Sequence, residues 1–197
     1  MALCKQQAHQ STQNHIKRKW IRDVGCMHEG TMHDIRQATG NTYLQTFHYR
    51  IINRIISTNT FLYRIGKFES PMCTFCNEDS ETLYHILWEC KIVKDYLKDI
   101  ATYLNDEYSL TINFTVQSWI FPRLADESRL NILIFTLAKQ VIFRARYESQ
   151  RPRKDQFHFK LKREAENENK SAVRHKSIDK FLSKWGNVSK IVSENNP

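Results

Sequence analysis

Cys73, Cys76, His85 and Cys90 stand in the order Cys-x2-Cys-x8-His-x4-Cys within the run CTFCNEDSETLYHILWEC. Thiolates and neutral imidazole are the usual protein ligands of zinc, and two cysteines three apart direct both sulfurs into one tetrahedron. A histidine and a cysteine five apart can complete it from a helix end and the turn that follows. Three thiolates and one imidazole fill all four positions and leave none for water or substrate. The set therefore predicts one structural Zn2+, not a catalytic one. An iron–sulfur cluster fits less well, because one ligand is a histidine and nothing else in the chain supports redox chemistry. The competing reading is two ordinary core cysteines, a buried Cys90 and an unrelated His85. Four ligand-type residues within eighteen positions argue against it.

These ligands need elements to hold them. Inside the run, TLYHILWE predicts a short helix with Leu83, Ile86 and Leu87 inward, His85 at its side, and Trp88 packed on the knuckle or a neighbouring helix. Upstream, TYLQTFHYRIINRIIS predicts an amphipathic helix over residues 42–57, with Leu44, Phe47, Ile51 and Ile55 at helical spacing and Ile52 and Ile56 widening the stripe. TFLYRI predicts a second, shorter helix, capped by Thr58 or Asn59 and ended at Gly66. Pro71 then breaks the chain before the first cysteine.

Downstream, KIVKDYLKDIATYL again has helical spacing, whereas LTINFTVQSWIF mixes β-branched and aromatic residues and reads as an irregular segment or a short strand. ESRLNILIFTLAKQVIFRARYES is the strongest helix, apolar around most of its circumference, and so belongs at the centre of a bundle. Pro152 closes it or starts the next helix. Two charged helices follow, with Ile178, Phe181, Leu182 and Trp185 as a docking stripe and Gly186 at the end. Residues 1–40 are polar, with scattered histidines (His9, His15, His28, His33) and no sustained period. They read as an irregular segment, and Cys26 with His28 lacks a second ligand pair.

The expected fold class is mainly α: a helical bundle with a small Cys3His zinc knuckle and a basic helical C-terminal extension. The division is an irregular segment over 1–40, a helical domain over 41–150 with the knuckle at 71–92, and the basic extension over 151–197. The knuckle should be wedged between the helix ending near Gly66 and the one beginning near Lys91.

The net charge of +9 is unevenly spread. Residues 1–138 carry 15 Lys and Arg against 14 Asp and Glu, while residues 139–190 carry 15 against 6. Such asymmetry points to a polyanion, most often nucleic acid. The knuckle is a poor grip for one. Its loop holds Glu78, Asp79, Glu81 and Glu89 and no Lys or Arg, and three thiolates around Zn2+ add a formal negative charge. The metal is expected to hold the fold while the binding surface lies elsewhere. Arg144, Arg146, Arg151, Arg153, Lys154, Lys160, Lys162 and Arg163 are the candidate phosphate contacts, and Tyr147, Phe157 and Phe159 could stack on unpaired bases. Arg50 and Arg54, one turn apart, form a weaker second patch. Taken singly, each cation has the plainer reading of a solvated side chain, and Phe157 or Phe159 that of a core residue.

Other classes are disfavoured. The polar N-terminus has no apolar core of a secretory signal, and the run from Leu130 to Phe143 is interrupted by Lys139 and Gln140 and too short to span a bilayer. The expectation is an intracellular protein, cytoplasmic or nuclear, with no membrane partner. In a reducing compartment clustered cysteines bind metal more often than they pair. Catalysis by this chain and a small-molecule substrate are not expected. His85 belongs to the metal set, and Asp126 with Glu127 suits the start of a helix.

The stretch from Leu44 to Leu97 resembles the zinc-binding region at the C-terminal end of non-LTR (LINE-type) retrotransposon reverse transcriptases. That family's F-x-Y-R-I helix stands here as Phe47–Ile51, its T-N-x-F-L-Y turn as Thr58–Tyr63, and its C-x-F-C…E-T-x-x-H-x-x-W-x-C knuckle as Cys73–Cys90. LAKQVIFRARYES and FLSKWGNV also look like that family's tail, so the resemblance covers roughly residues 40 to 188. It implies a module beyond the polymerase thumb that helps engage element RNA as template or the target DNA, with the rest of a reverse transcriptase polyprotein as a further partner. The polymerase's paired aspartates and any endonuclease constellation are absent from this sequence. A second expectation is kept open: a protein-interaction module whose helices after Pro152 dock on a polymerase or a second copy.

Overall fold

Helix α7 (Arg129–Tyr147) begins where the Ser128 hydroxyl accepts from the Asn131 amide, and every residue from Ile132 to Ile142 is buried. This is the central helix that its all-round apolar pattern predicts. The structure is a computed structural model describing the backbone of residues 2–193 and the side chains of 13–186 and 188–192; His9 lies outside the described side chains. The chain is 67% helical, and one isolated antiparallel bridge, Met72 with Ser80, is the only extended pairing among the described residues. The fold class is mainly α.

Residues 1–40 depart from expectation by forming two helices, α1 (Ala2–Val24) and α2 (Thr31–Ala38). Among the described side chains, each commits a narrow line of residues to the core. In α1 the line is Ile16, Trp20 and Val24; in α2 it is Thr31, Ile35 and Ala38. Polar residues outnumber these so heavily that no period shows. One indole does much of the anchoring: Trp20 is fully buried and donates from Nε1 to the Ile52 carbonyl at 2.8 Å.

That carbonyl closes α3 (Thr42–Ile52), which starts where the Asn41 side chain accepts from the Tyr43 and Leu44 amides. The helix stops short of its expected end at Ser57. Arg54 takes a left-handed φ of 53°, costly for a residue with a Cβ. Its guanidinium lies 3.8 Å over the Trp20 ring and pairs with Asp23. Helix α4 (Asn59–Arg64) follows, capped by Thr58, and Gly66 leaves it at φ 68°.

Beyond the knuckle, α5 (Lys91–Tyr108) buries Val93, Tyr96, Leu97, Ile100 and Leu104 on one side. The next apolar stretch runs without regular structure to Thr115, which caps a short helix, α6 (Val116–Ile120), in place of a strand. Pro152 starts rather than closes a helix: α7 ends at Tyr147, Ser149 reverses the chain at φ 52°, and α8 (Lys154–Arg174) begins two residues after the proline. Helix α9 (Ile178–Trp185), a 3-10 turn (Gly186–Val188) and α10 (Lys190–Ser193) are the last described elements. Of the expected docking stripe, Phe181 and Trp185 are buried, whereas Ile178 and Leu182 stay 38% and 50% exposed.

The basic C-terminal segment is locked to the body through polar ties as well as packing. Glu164 accepts from Thr39 and Asn41, and Lys184 bridges Glu168 to the Ala38 carbonyl at the end of α2. No helix among the described residues is long and apolar enough to cross a membrane.

Candidate metal centre and cationic face

Two short segments bring the four ligand residues together. In the first, the Cys73 amide donates to the Asp79 carbonyl at 2.8 Å and the Asn77 amide returns to the Cys73 carbonyl at 3.0 Å. Asn77 sits at φ 54°, which folds Cys73 and Cys76 onto one side, and the Phe75 amide points at the Cys73 sulfur at 3.4 Å. In the second, Thr82 receives the His85 amide on its hydroxyl at 3.0 Å. The chain then makes a π-helical turn over His85–Glu89, with the Cys90 amide reaching back five residues to the His85 carbonyl at 2.9 Å. In an α-helix those two side chains would point about 140° apart. The wider π turn brings them nearer to one side.

The result is a tight cluster. One ligand atom from each of Cys73, Cys76, His85 and Cys90 lies within 4.8 Å of all the others. Cys73 Sγ is 3.9 Å from Cys90 Sγ, and Cys76 Sγ is 3.5 Å from His85 Nε2. Cys73, His85 and Cys90 are buried and Cys76 is half-buried. The cluster could hold a metal ion, as the spacing predicts.

The two fully buried cysteines differ in how readily they ionise. The Cys73 thiol donates to Cys90, which pushes Cys73 up and holds Cys90 below its ordinary value. Burial works against the shift of Cys90, while the Val93 and Ile92 amides at the start of α5 reinforce it. On the far side of the imidazole, His85 Nδ1 faces an Asp79 carboxylate oxygen at 3.9 Å, leaving Nε2 turned into the cluster.

Glu81 is a correction to the sequence reading, which placed it among the acids that would repel a phosphate. It is fully buried and at the centre of a network. One carboxylate oxygen accepts from the Asn59 amide at 2.8 Å and from Arg146 at 2.7 Å; the other accepts from the amide and hydroxyl of Thr74 at 3.1 and 2.9 Å. Thr74 lies between the first two cysteines, Asn59 opens α4, and Arg146 belongs to the last turn of α7. The knuckle is thus fastened to both helices. Trp119 adds a third link from α6, donating from Nε1 to the Leu87 carbonyl at 2.8 Å. The role of these residues in fastening the knuckle was not predicted; Glu81 beside a cysteine pair gives no sign by itself of pointing inward.

Two of the proposed phosphate contacts are corrected as well. Arg146 is held by Glu81 and by the Asn59 side-chain carbonyl at 3.0 Å, with 14% of its side chain exposed. Arg54 pairs with Asp23 and covers Trp20, with 15% exposed. Both heads are used inside the molecule because each meets a shielded carboxylate. Arg50, Arg144, Arg151, Arg153, Lys154 and Arg163 are exposed, and Lys160 and Lys162 are half-buried. Arg144 pairs with Glu148 at 2.8 Å, Arg153 with Asp155, and Lys160 donates to Gln140 at 2.6 Å. Among the aromatics, Phe157 is core, while Tyr147 and Phe159 are 89% and 63% exposed.

No family model matches this chain, and no curated protein matches it.

Proposed function

We propose that the chain is a zinc-stabilised nucleic-acid-binding module, non-catalytic by itself, of the kind that follows the polymerase of a non-LTR retrotransposon reverse transcriptase and helps engage template RNA or target DNA. The observation that carries this reading is the closed Cys3His cluster on a helical frame whose cationic excess lies elsewhere. Two edges of the cluster have the lengths that zinc would require. With Zn–S near 2.3 Å and Zn–N near 2.0 Å, a tetrahedron has S···S edges of about 3.8 Å and S···N edges of about 3.5 Å. The distances of 3.9 and 3.5 Å agree with both. Cys73, Cys76, His85 and Cys90 would hold the ion, and its contribution is folding free energy.

The exposed Arg151, Arg153, Lys154 and Arg163 support a phosphate grip, whereas Glu78 and Asp79 keep the knuckle's own surface acidic. The test is a titration of zinc-loaded protein into labelled single-stranded RNA, single-stranded DNA and duplex DNA at two salt concentrations. Log affinity should fall by about 0.7–0.9 per log unit of salt for each phosphate contact. Absence of binding at low salt by a folded, metal-loaded chain would overturn the reading.

A second reading is favoured by one observation. Ile178 and Leu182 on α9 and Phe61, Ile65 and Phe68 near α4 are at least 38% exposed. Those side chains suit a docking module for a larger polymerase, and that is the function left if the titration fails.

A further inference from the structure

Between α3, α7 and α8 the surface opens into two adjoining hollows of about 620 and 500 Å³. They share Tyr43, Gln140, Arg144, Glu148 and Lys160, so they form one continuous groove. Arg163 lines its α8 end, and Arg50 and Tyr147 its α3 and α7 end. Arg50, separated in sequence from the C-terminal cations, is therefore part of the same surface as Arg144, Lys160 and Arg163.

Three aromatic rings stand around this groove without being buried in it. Tyr43 is 69% exposed, Tyr147 89% and Phe159 63%. Each gives up burial that a core ring would gain, and each lines the groove together with cations that can contact phosphate. The acidic residues of the groove are already bonded. Glu148 accepts from Arg144, Asp155 from Arg153, and Glu164 from Thr39 and Asn41. Lys160 is held below the ordinary lysine value first by burial and then by the charges of Arg144 and Arg163, with Glu148 and Glu164 opposing. Arg144, Lys160 and Arg163 thus line one wall together, close enough for a single phosphate strand to run past all three.

Resting on the reading of the chain as a nucleic-acid-binding module, we infer that this groove takes single-stranded nucleic acid, with its phosphates on Arg50, Arg144, Lys160 and Arg163 and its unpaired bases against Tyr43, Tyr147 and Phe159. Duplex fits the same residues poorly. It offers the cations its phosphates, but its base faces are already stacked on one another and cannot cover the rings. An unpaired base covers a ring whatever its identity, so the groove should bind with little sequence preference. A peptide rich in acidic and apolar residues is the other polymer that could use cations and rings together, and it serves as the competitor.

The test uses the full zinc-loaded chain, a labelled 12-nucleotide single strand and a duplex of the same sequence. Tyr43→Ala and Phe159→Ala should each weaken single-strand binding about tenfold and leave duplex binding within about twofold. Arg163→Gln should reduce the single-strand salt slope by about 0.7. Tyr63→Ala, which removes an exposed ring on α4 outside the groove, should change neither. Metal content and melting temperature report whether each variant is folded, and all three substituted rings are at least half exposed. If the wild-type chain binds nucleic acid but the groove variants bind the single strand as tightly, the groove assignment falls and the module reading stands. Equal losses from Tyr63→Ala, or tighter binding of an acidic-apolar peptide than of the single strand, would overturn it as well. If the wild-type chain binds no nucleic acid, both fall.

Discussion

Glu81 and Arg146 lie sixty-five positions apart in the chain and meet 2.7 Å apart inside the molecule, the carboxylate fully buried and the guanidinium nearly so. The pair ties the cysteine loop to the end of the central helix. Removing one partner strands the other charge away from water, at a cost of about 3–5 kcal/mol. Glu81→Ala should lower the melting temperature by about 10 °C in a chain of this length. Glu81→Gln and Arg146→Gln combined should cost clearly less than the sum of the singles. Additivity within about 0.5 kcal/mol in the double-mutant cycle would show that the two are not coupled.

The same network sets the geometry of the cysteine loop, because Glu81 holds the amide and hydroxyl of Thr74 between Cys73 and Cys76. Loss of such a supporting contact costs about 10- to 100-fold in metal affinity. Metal content by mass spectrometry should be one ion per wild-type chain and nearly none for Cys73→Ser or Cys90→Ser. Chelation should unfold more than the loop, since Trp119 hangs on the Leu87 carbonyl and α5 starts at Cys90. The check is far-UV circular dichroism during a melt with and without chelator. Superimposable curves would rule out a structural metal.

What the sequence made legible is the part governed by local rules. Ligand spacing located the four residues of the Cys/His cluster, and helical periodicity located α3, α5 and α7. The misses at Trp20, Arg54 and Arg146 share a cause, which is that the deciding partner lies far away in the chain. Trp20 organises α1 through Ile52 and Arg54, so a helix with one narrow apolar line looked irregular. Arg54 and Arg146 read as surface cations until Asp23 and Glu81 are brought beside them. The stop of α3 at Ile52 follows from the same tertiary pull, because the left-handed Arg54 places its guanidinium on Trp20. Thr82 and the π turn were hidden for a different reason: a helical pattern does not distinguish an i+4 from an i+5 closure over five residues.

Lys139 gives a pH dependence that can be read directly. It is fully buried on α7, its amine meets no hydrogen-bond acceptor, and its nearest favourable neighbour is the Trp119 ring at 4.8 Å. Burial holds it well below the ordinary lysine value in the folded chain. In the unfolded chain it titrates near 10.4. Between those two values the unfolded state carries a proton that the folded state lacks, so this residue disfavours folding in that window, by less as pH rises. The penalty vanishes above about 10.4. Lys139→Met keeps the volume and removes both the titration and the orphaned donor, whose burial costs about 1–3 kcal/mol. The variant should be more stable at pH 7, with an advantage that shrinks steadily toward pH 9.5. Urea melts across that range decide the matter. An advantage independent of pH would mean the lysine folds with its proton on, held by the indole face.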